Sequence, residues 1–147
     1  METILLIEKE STLRILYNEE LKEEGYRILL AENEKEALKI LKGKIINLII
    51  TDHHLLQERS YMALVHTANK VKGIPVIIHT DYSCNPMDFT SRKNIEYIIK
   101  SSNLDNLKSK MRKMLDYKSL ARVSQAISNF KRGGENDYKE RIQKYKE

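Results

Sequence analysis

Asn47-Leu48-Ile49-Ile50-Thr51-Asp52 is the stretch that decides how this chain folds. Leu48 through Thr51 make an apolar or β-branched run without interruption, too short for a helix and suited to a strand buried on both faces. It ends on a carboxylate. Three further runs have the same form: Thr3-Ile4-Leu5-Leu6-Ile7 stops on Glu8-Lys9-Glu10, Val76-Ile77-Ile78-His79 on Thr80, and Ile95-Glu96-Tyr97-Ile98-Ile99 on Lys100. In an open parallel sheet the carboxyl ends of the strands share one edge, so these residues are predicted to converge there. An acid cluster, a lone aspartate, a hydroxyl and an ammonium suit phosphoryl chemistry. A carboxylate can act as nucleophile, acids can hold a divalent cation, and a hydroxyl and a lysine can bind the oxygens of the transferred group.

The intervals between the runs carry helix signals. Ser11 opens a segment in which Leu13, Leu16, Tyr17 and Leu21 recur at helical spacing, and Gly25 closes it. Residues 26–30 give a second strand. Asn33 with Glu36 three residues later reads as a capping box for a helix through Leu41, ended by Gly43. Tyr61, Leu64, Val65 and Ala68 supply the buried stripe of a third helix. Asn85-Pro86 has the form of an N-cap followed by proline at the first helical position, which predicts a short helix through Phe89 toward Arg92. The last helix starts near Asn103, with Leu104, Leu107, Met111, Met114 and Leu115 on one side. Strand and helix signals therefore alternate five times. This predicts an α/β fold, a doubly wound parallel sheet with helices on both faces joined by right-handed crossovers.

Beyond Asp116, Leu120, Val123, Ile127 and Phe130 share one helical stripe, Gly133-Gly134 interrupts it, and Tyr138, Ile142 and Tyr145 suit a final short helix. The expected organisation is one domain over residues 1–116 and a helical C-terminal extension over 117–147. An extension of this size is too small for an independent DNA-binding domain. It packs on its own domain or frays, or it docks a second copy or another partner.

Composition sets outer bounds. At 147 residues, 41% hydrophobic and 32% charged, the chain suits one globular domain with an appendage. No apolar run approaches the roughly 18 residues that span a bilayer, and no signal-type segment opens the chain, so a cytoplasmic location without membrane contact is expected. The lone Cys84 forms no internal disulfide. A net charge of +5 raises nucleic acid as a partner, but the excess gathers late, in Lys108, Lys110, Arg112, Lys113, Lys118, Arg122, Lys131 and Arg132. Such a run is more often the solvated face of helices, and nucleic-acid binding is not expected. His53, His54, His66 and His79 read as loop and strand-end residues, because no third ligand has metal-site spacing.

Taken in order, these segments resemble the receiver domain of two-component response regulators, over roughly residues 2–116. Residues 4–10 look like its first strand and acidic corner. Gly25-Tyr26 and Ala31-Glu32-Asn33-Glu34-Lys35-Glu36-Ala37-Leu38 are similar to its second strand and following helix. Asn47 to Asp52 looks like the phosphoacceptor strand, Ile74 to Thr80 the fourth, and Tyr97-Ile98-Ile99-Lys100 the fifth. The resemblance implies a flavodoxin-like five-stranded sheet of order 2-1-3-4-5. It also implies a phosphoryl group accepted on Asp52 from a histidine kinase or phosphotransfer protein and signalled to a downstream protein partner. This is self-directed transfer, not enzymatic turnover of a metabolite. Thr80 corresponds to the switch hydroxyl, Lys100 to the lysine that pairs with the phosphoryl group, and Tyr97 to the rotating aromatic. The implied Mg²⁺ ligands are Glu8, Asp52 and the backbone carbonyl of His54, with Glu10 able to reach in. Apart from the resemblance, the C-terminal stripe leaves a homodimer through that helix as one alternative.

The departures from the family pattern bear on the chemistry. The second of its two adjacent acids is here Lys9, which repels Mg²⁺ and weakens the site, and which can itself neutralise Asp52. Leu55-Leu56 and Arg59-Ser60 replace the Met-Pro and Asp-Gly steps. Asp81 stands where a small residue is usual, and the segment between Thr80 and Lys100 is shortened. Two readings follow, a phosphorylated receiver and a receiver-like interaction module that does not use the Mg²⁺-dependent reaction. An aspartate-based phosphate-ester hydrolase is disfavoured, since His53-His54 follow Asp52 in place of an Asp-x-Asp motif.

Overall fold

The computed structural model describes residues 1–57, 59–80, 94–101 and 103–132. Five strands, β1 (Thr3–Ile7), β2 (Arg27–Ala31), β3 (Leu48–Asp52), β4 (Val76–Thr80) and β5 (Ile95–Ile99), form one sheet of order β2-β1-β3-β4-β5. Every pairing is parallel. The described helices are α1 (Ser11–Glu23), α2 (Glu34–Gly43), α3 (Arg59–Lys72) and α4 (Asp105–Arg132), with a 3-10 turn at His53–Gln57 after β3. The doubly wound sheet and its strand order are those read from the alternating runs.

The unbroken apolar runs build the central strands for the reason the sequence suggests: both faces of β1 and β3 are covered. Leu5, Ile7, Ile49, Val76 and Ile78 point to one side, against Ala37 and Leu41 of α2 and Leu64, Val65 and Ala68 of α3. Alternation sends Leu6, Ile50 and Ile77 to the other side, where Tyr17 and Leu21 of α1 and Leu107 and Met111 of α4 are buried. Lys108 to Glu20 at 2.8 Å and Arg112 to Glu24 at 3.2 Å tie α4 to α1. Gly25, at φ +91, takes the left-handed turn that ends α1, and its N–H donates to the Lys22 carbonyl at 3.0 Å.

Several expectations are corrected. The buried stripe of α1 narrows to Tyr17 and Leu21, with Leu16 41% and its neighbour Ile15 58% exposed. β2 begins one residue later than predicted, at Arg27. The helix near Asn103 and the helix expected over 117–131 are one continuous 28-residue element, α4. Asp116-Tyr117-Lys118 between them contains neither glycine nor proline to stop it. Val123 and Ile127 of the predicted stripe are 56% and 51% exposed. The chain divides into two compact units, Met1–Arg112 and Lys113–Glu147, and α4 runs through the division. Asp81, Cys84, the short helix at Asn85-Pro86, the final helix with Tyr138, Ile142 and Tyr145, and the side chains of Tyr61 and Leu120 lie outside the described residues.

Candidate functional site

Register brings the polar strand ends together. Ile7 lies opposite Thr51, so Glu8 and Asp52, each one residue further, stand side by side at the carboxyl edge of β1 and β3. Asp52 in turn lies opposite His79 of β4, and Thr80 opposite Ile99 of β5. Lys100 leaves β5 two strands from Asp52, a lateral span of about 10 Å that calls for a long side chain. Its backbone is fixed first, by donation of its N–H to the Thr80 carbonyl at 2.6 Å. Its ammonium then hydrogen-bonds Asp52 Oδ2 and stands 3.9 Å from Glu8 Oε2.

Asp52 has two roles at once. Its Oδ2 takes the lysine, while Oδ1 accepts the His54 N–H at 2.7 Å and so starts the 3-10 turn that follows. Asp52 therefore caps the turn that follows it while standing beside Glu8 and Lys100. Glu8 is 3% and Asp52 6% exposed. Burial pushes the Glu8 carboxyl above its ordinary range and the Asp52 charge adds to this, while the Glu10 N–H at 3.2 Å and the Lys100 charge oppose it.

Glu8, Lys9, Glu10, Asp52, His54, Leu55 and Lys100 line an open cleft of roughly 430 Å³. Lys9 is exposed on its rim and forms no ion pair with any described residue. The ammonium paired with Asp52 is thus that of Lys100, which corrects the expectation that Lys9 would neutralise it. Thr80, 5% exposed, ends β4 at the same edge. Tyr97 stands two residues before the end of β5, opposite Ile78, and packs against the cluster on the α2 and α3 side of the sheet.

Three participants are not evident from the sequence patterns. Arg14 of α1 donates from Nη1 to the Glu8 carbonyl at 2.9 Å and the Lys9 carbonyl at 3.2 Å, and its Nη2 lies 3.6 Å from Glu32 Oε2, so it clasps the acidic corner to the end of β2. His79 and Tyr17 are each 2% exposed and meet with ring centroids 5.2 Å apart on the α1 side of the sheet. Burial and the neighbouring carboxylates push the Tyr17 hydroxyl up to about 12. Burial, then the Lys100 charge, lowers His79 to about 4. The available signal is His79 itself, a polar residue inside an otherwise apolar run.

For a divalent cation the donor set is small. Glu8 and Asp52 can hold a hydrated Mg²⁺ ion with the His54 carbonyl, since Mg²⁺ keeps several waters and needs only one or two carboxylates. Among the described residues, however, no three His, Cys, Asp or Glu side chains converge as a metal cluster. Both Asp52 oxygens already carry donors. Nor is any described helix long and apolar enough to cross a membrane.

Comparison with known proteins agrees with this geometry. The model of the response regulator receiver domain matches residues 4–112. Response regulator protein TrrA from Thermotoga maritima, solved with Mg²⁺-BeF, is 36% identical with a TM-score of 0.65, covering 78% of this chain and 99% of that one. The structure of histidine kinase ThkA in complex with response regulator protein TrrA matches at 37% identity and a TM-score of 0.66, with the same coverage of 78% and 99%. A CheY-like receiver domain protein from Methanospirillum hungatei shares the fold at a TM-score of 0.72 and 23% identity, covering 82% of this chain and 98% of that one. Transcriptional regulatory protein ZraR of Escherichia coli K12 is 27% identical over 93 residues, which is 62% of this chain and 21% of ZraR. The chain thus spans about a fifth of that relative.

Proposed function

The chain belongs to the response regulator receiver domain family of two-component signal transduction, and from that membership we propose that Asp52 accepts a phosphoryl group and passes the change to a protein partner. The observation that carries this reading is the Lys100 ammonium on Asp52 Oδ2, with Glu8 Oε2 3.9 Å from the same nitrogen, at the open edge of the sheet. An Asp52 oxygen attacks phosphorus, the bond from phosphorus to the donor breaks, and the electron pair leaves with the donor. Lys100 turns from the carboxylate to a phosphoryl oxygen, and the Thr80 hydroxyl takes another. Tyr97 then repacks as the aromatic switch. A Mg²⁺ ion held by Glu8, Asp52 and the His54 carbonyl, with Glu10 in reach, supplies charge neutralisation when bound. Lys9 on the cleft rim lowers its affinity. The transfer is stoichiometric and self-directed, so the protein is not an enzyme with a metabolite substrate.

The donor in this reading is a histidine kinase or phosphotransfer protein, in keeping with the kinase complex of the TrrA relative, and the setting is cytoplasmic. The output is a protein contact, to a downstream partner or to a second copy through the C-terminal helix. The second reading, an interaction module that never takes the phosphoryl group, is favoured by one observation: both Asp52 oxygens are already satisfied, by Lys100 and by the His54 N–H. Intact-mass measurement after incubation with acetyl phosphate and Mg²⁺ separates the two. A labile gain of one phosphoryl group, absent in Asp52→Asn, supports the first reading; an unchanged mass in both proteins leaves only the second.

A further inference from the structure

We propose that phosphoryl transfer to Asp52 does not require a divalent cation in this chain, because the Lys9 ammonium supplies the positive charge a metal would bring. The inference rests on the reading of Asp52 as phosphoacceptor and deepens it. A phosphoryl group entering the cleft brings oxyanions that need positive charge or hydrogen-bond donors beside them, and two sources of such charge line the cleft. The first, Lys100, is committed to Asp52 and Glu8 at the start of the reaction. The second, Lys9, lines the same cleft, is exposed and is paired with no described carboxylate. It is therefore free to turn toward an anion.

The local backbone supports this role. Arg14 grips the carbonyls of Glu8 and Lys9 at 2.9 and 3.2 Å, so the main chain that carries Lys9 is held while its side chain has no ion-pair partner among the described residues. Lysine is well suited here because it is a compact point charge on a flexible stem, able to follow the phosphoryl oxygens as the bond to the donor lengthens. The lining of the cleft supplies local partners of both signs. Glu8, Glu10 and Asp52 share it with the Lys9 and Lys100 ammonium groups, and among the described residues no three side chains form a metal cluster there. A divalent ion entering here meets two resident cations. The oxygens of an anionic donor find the Lys9 ammonium as a nearby partner.

With acetyl phosphate as probe, the step is balanced without a further reactant. An Asp52 oxygen forms a bond to phosphorus, the bond between phosphorus and the acetate oxygen breaks, and acetate leaves with the electron pair. The test follows intact mass against time in excess EDTA and, in parallel, in Mg²⁺. The native chain should be labelled in EDTA at a rate within about threefold of that in Mg²⁺. Lys9→Gln should lose about tenfold or more of the EDTA rate, the size of one charge-assisted hydrogen bond. Lys9→Arg should retain the EDTA reaction. Lys9→Asp should be labelled only with Mg²⁺ and should bind Mg²⁺ more tightly by calorimetry. Unchanged circular dichroism across the variants excludes misfolding as the cause. Labelling of the native chain with Mg²⁺ alone overturns this inference and leaves Asp52 as acceptor. The absence of labelling under both conditions overturns the two together.

Discussion

His79 lies opposite Asp52, 2% exposed, with its ring against Tyr17 and no partner for Nδ1 among the described residues. A neutral imidazole tolerates this position and an imidazolium does not. Burial first, and the Lys100 charge second, lower it from 6.5 to about 4. The unfolded chain therefore binds a proton at this residue below about pH 6.5 that the folded chain refuses until about pH 4. The contribution to stability is full above the upper value, falls as pH drops through the window, and is gone below the lower one. Its full size is about 3 kcal/mol as an upper figure. Urea unfolding near pH 7 and near pH 4.5 should show the native chain losing about 2 kcal/mol more stability between the two conditions than His79→Leu does; equal losses would mean that the imidazole is not held neutral. Residues of this kind are poorly legible in sequence. Asp52, Glu8 and Lys100 can be read because a charge that ends a buried run has few structural uses. His79 hides as one polar residue in a strand, and Arg14 acts through main-chain carbonyls that no side-chain pattern reveals.

Whole elements are easier to read, because their signals sum over many residues. The five apolar runs and the Asn33 cap are legible at sight. Asn33 Oδ1 accepts the Glu36 N–H at 2.9 Å, and the Glu36 carboxylate returns to the Glu32 N–H at 2.9 Å, one residue earlier than in the usual reciprocal box. These two bonds satisfy donors that would otherwise be lost at the start of α2. Asn33→Ala should cost about 1 kcal/mol in urea unfolding, and Asn33→Asp much less. The rate of labelling by acetyl phosphate should not change, since α2 does not line the cleft; a slower rate would mean that the cap also holds the site. Patterns mislead where competing periods overlap. The apolar residues of α1 suggest a broader buried face than it has, because Leu16 falls on the same sequence spacing as Tyr17 and Leu21 yet is 41% exposed. The two separately patterned halves of α4 fuse because helix propagation, once started, needs a breaker to stop it.

At the scale of the molecule, the part left over from a receiver fold is the far end of α4. The family model stops at residue 112, but the helix continues to Arg132, and a 28-residue helix is about 42 Å long. Val123 and Ile127 are 56% and 51% exposed there, on the stripe that Leu120 and Phe130 share in sequence. Their spacing of three, four and three residues is that of a short helix-pairing seam, which two copies of one chain can bury against each other. Residues 117–132 contain four basic side chains, Lys118, Arg122, Lys131 and Arg132, and no acidic one, so two copies of this segment repel at low salt. We therefore expect a weak dimer that strengthens as salt is raised. Light scattering should give a mass above the monomer at high protein concentration, increasing with salt. The mass should return to that of the monomer in Val123→Asp with Ile127→Asp, or on removal of residues 117–147. A monomer at every salt concentration, together with unchanged melting of the shortened chain, would show that the stripe is idle and that the output of this receiver leaves by another face.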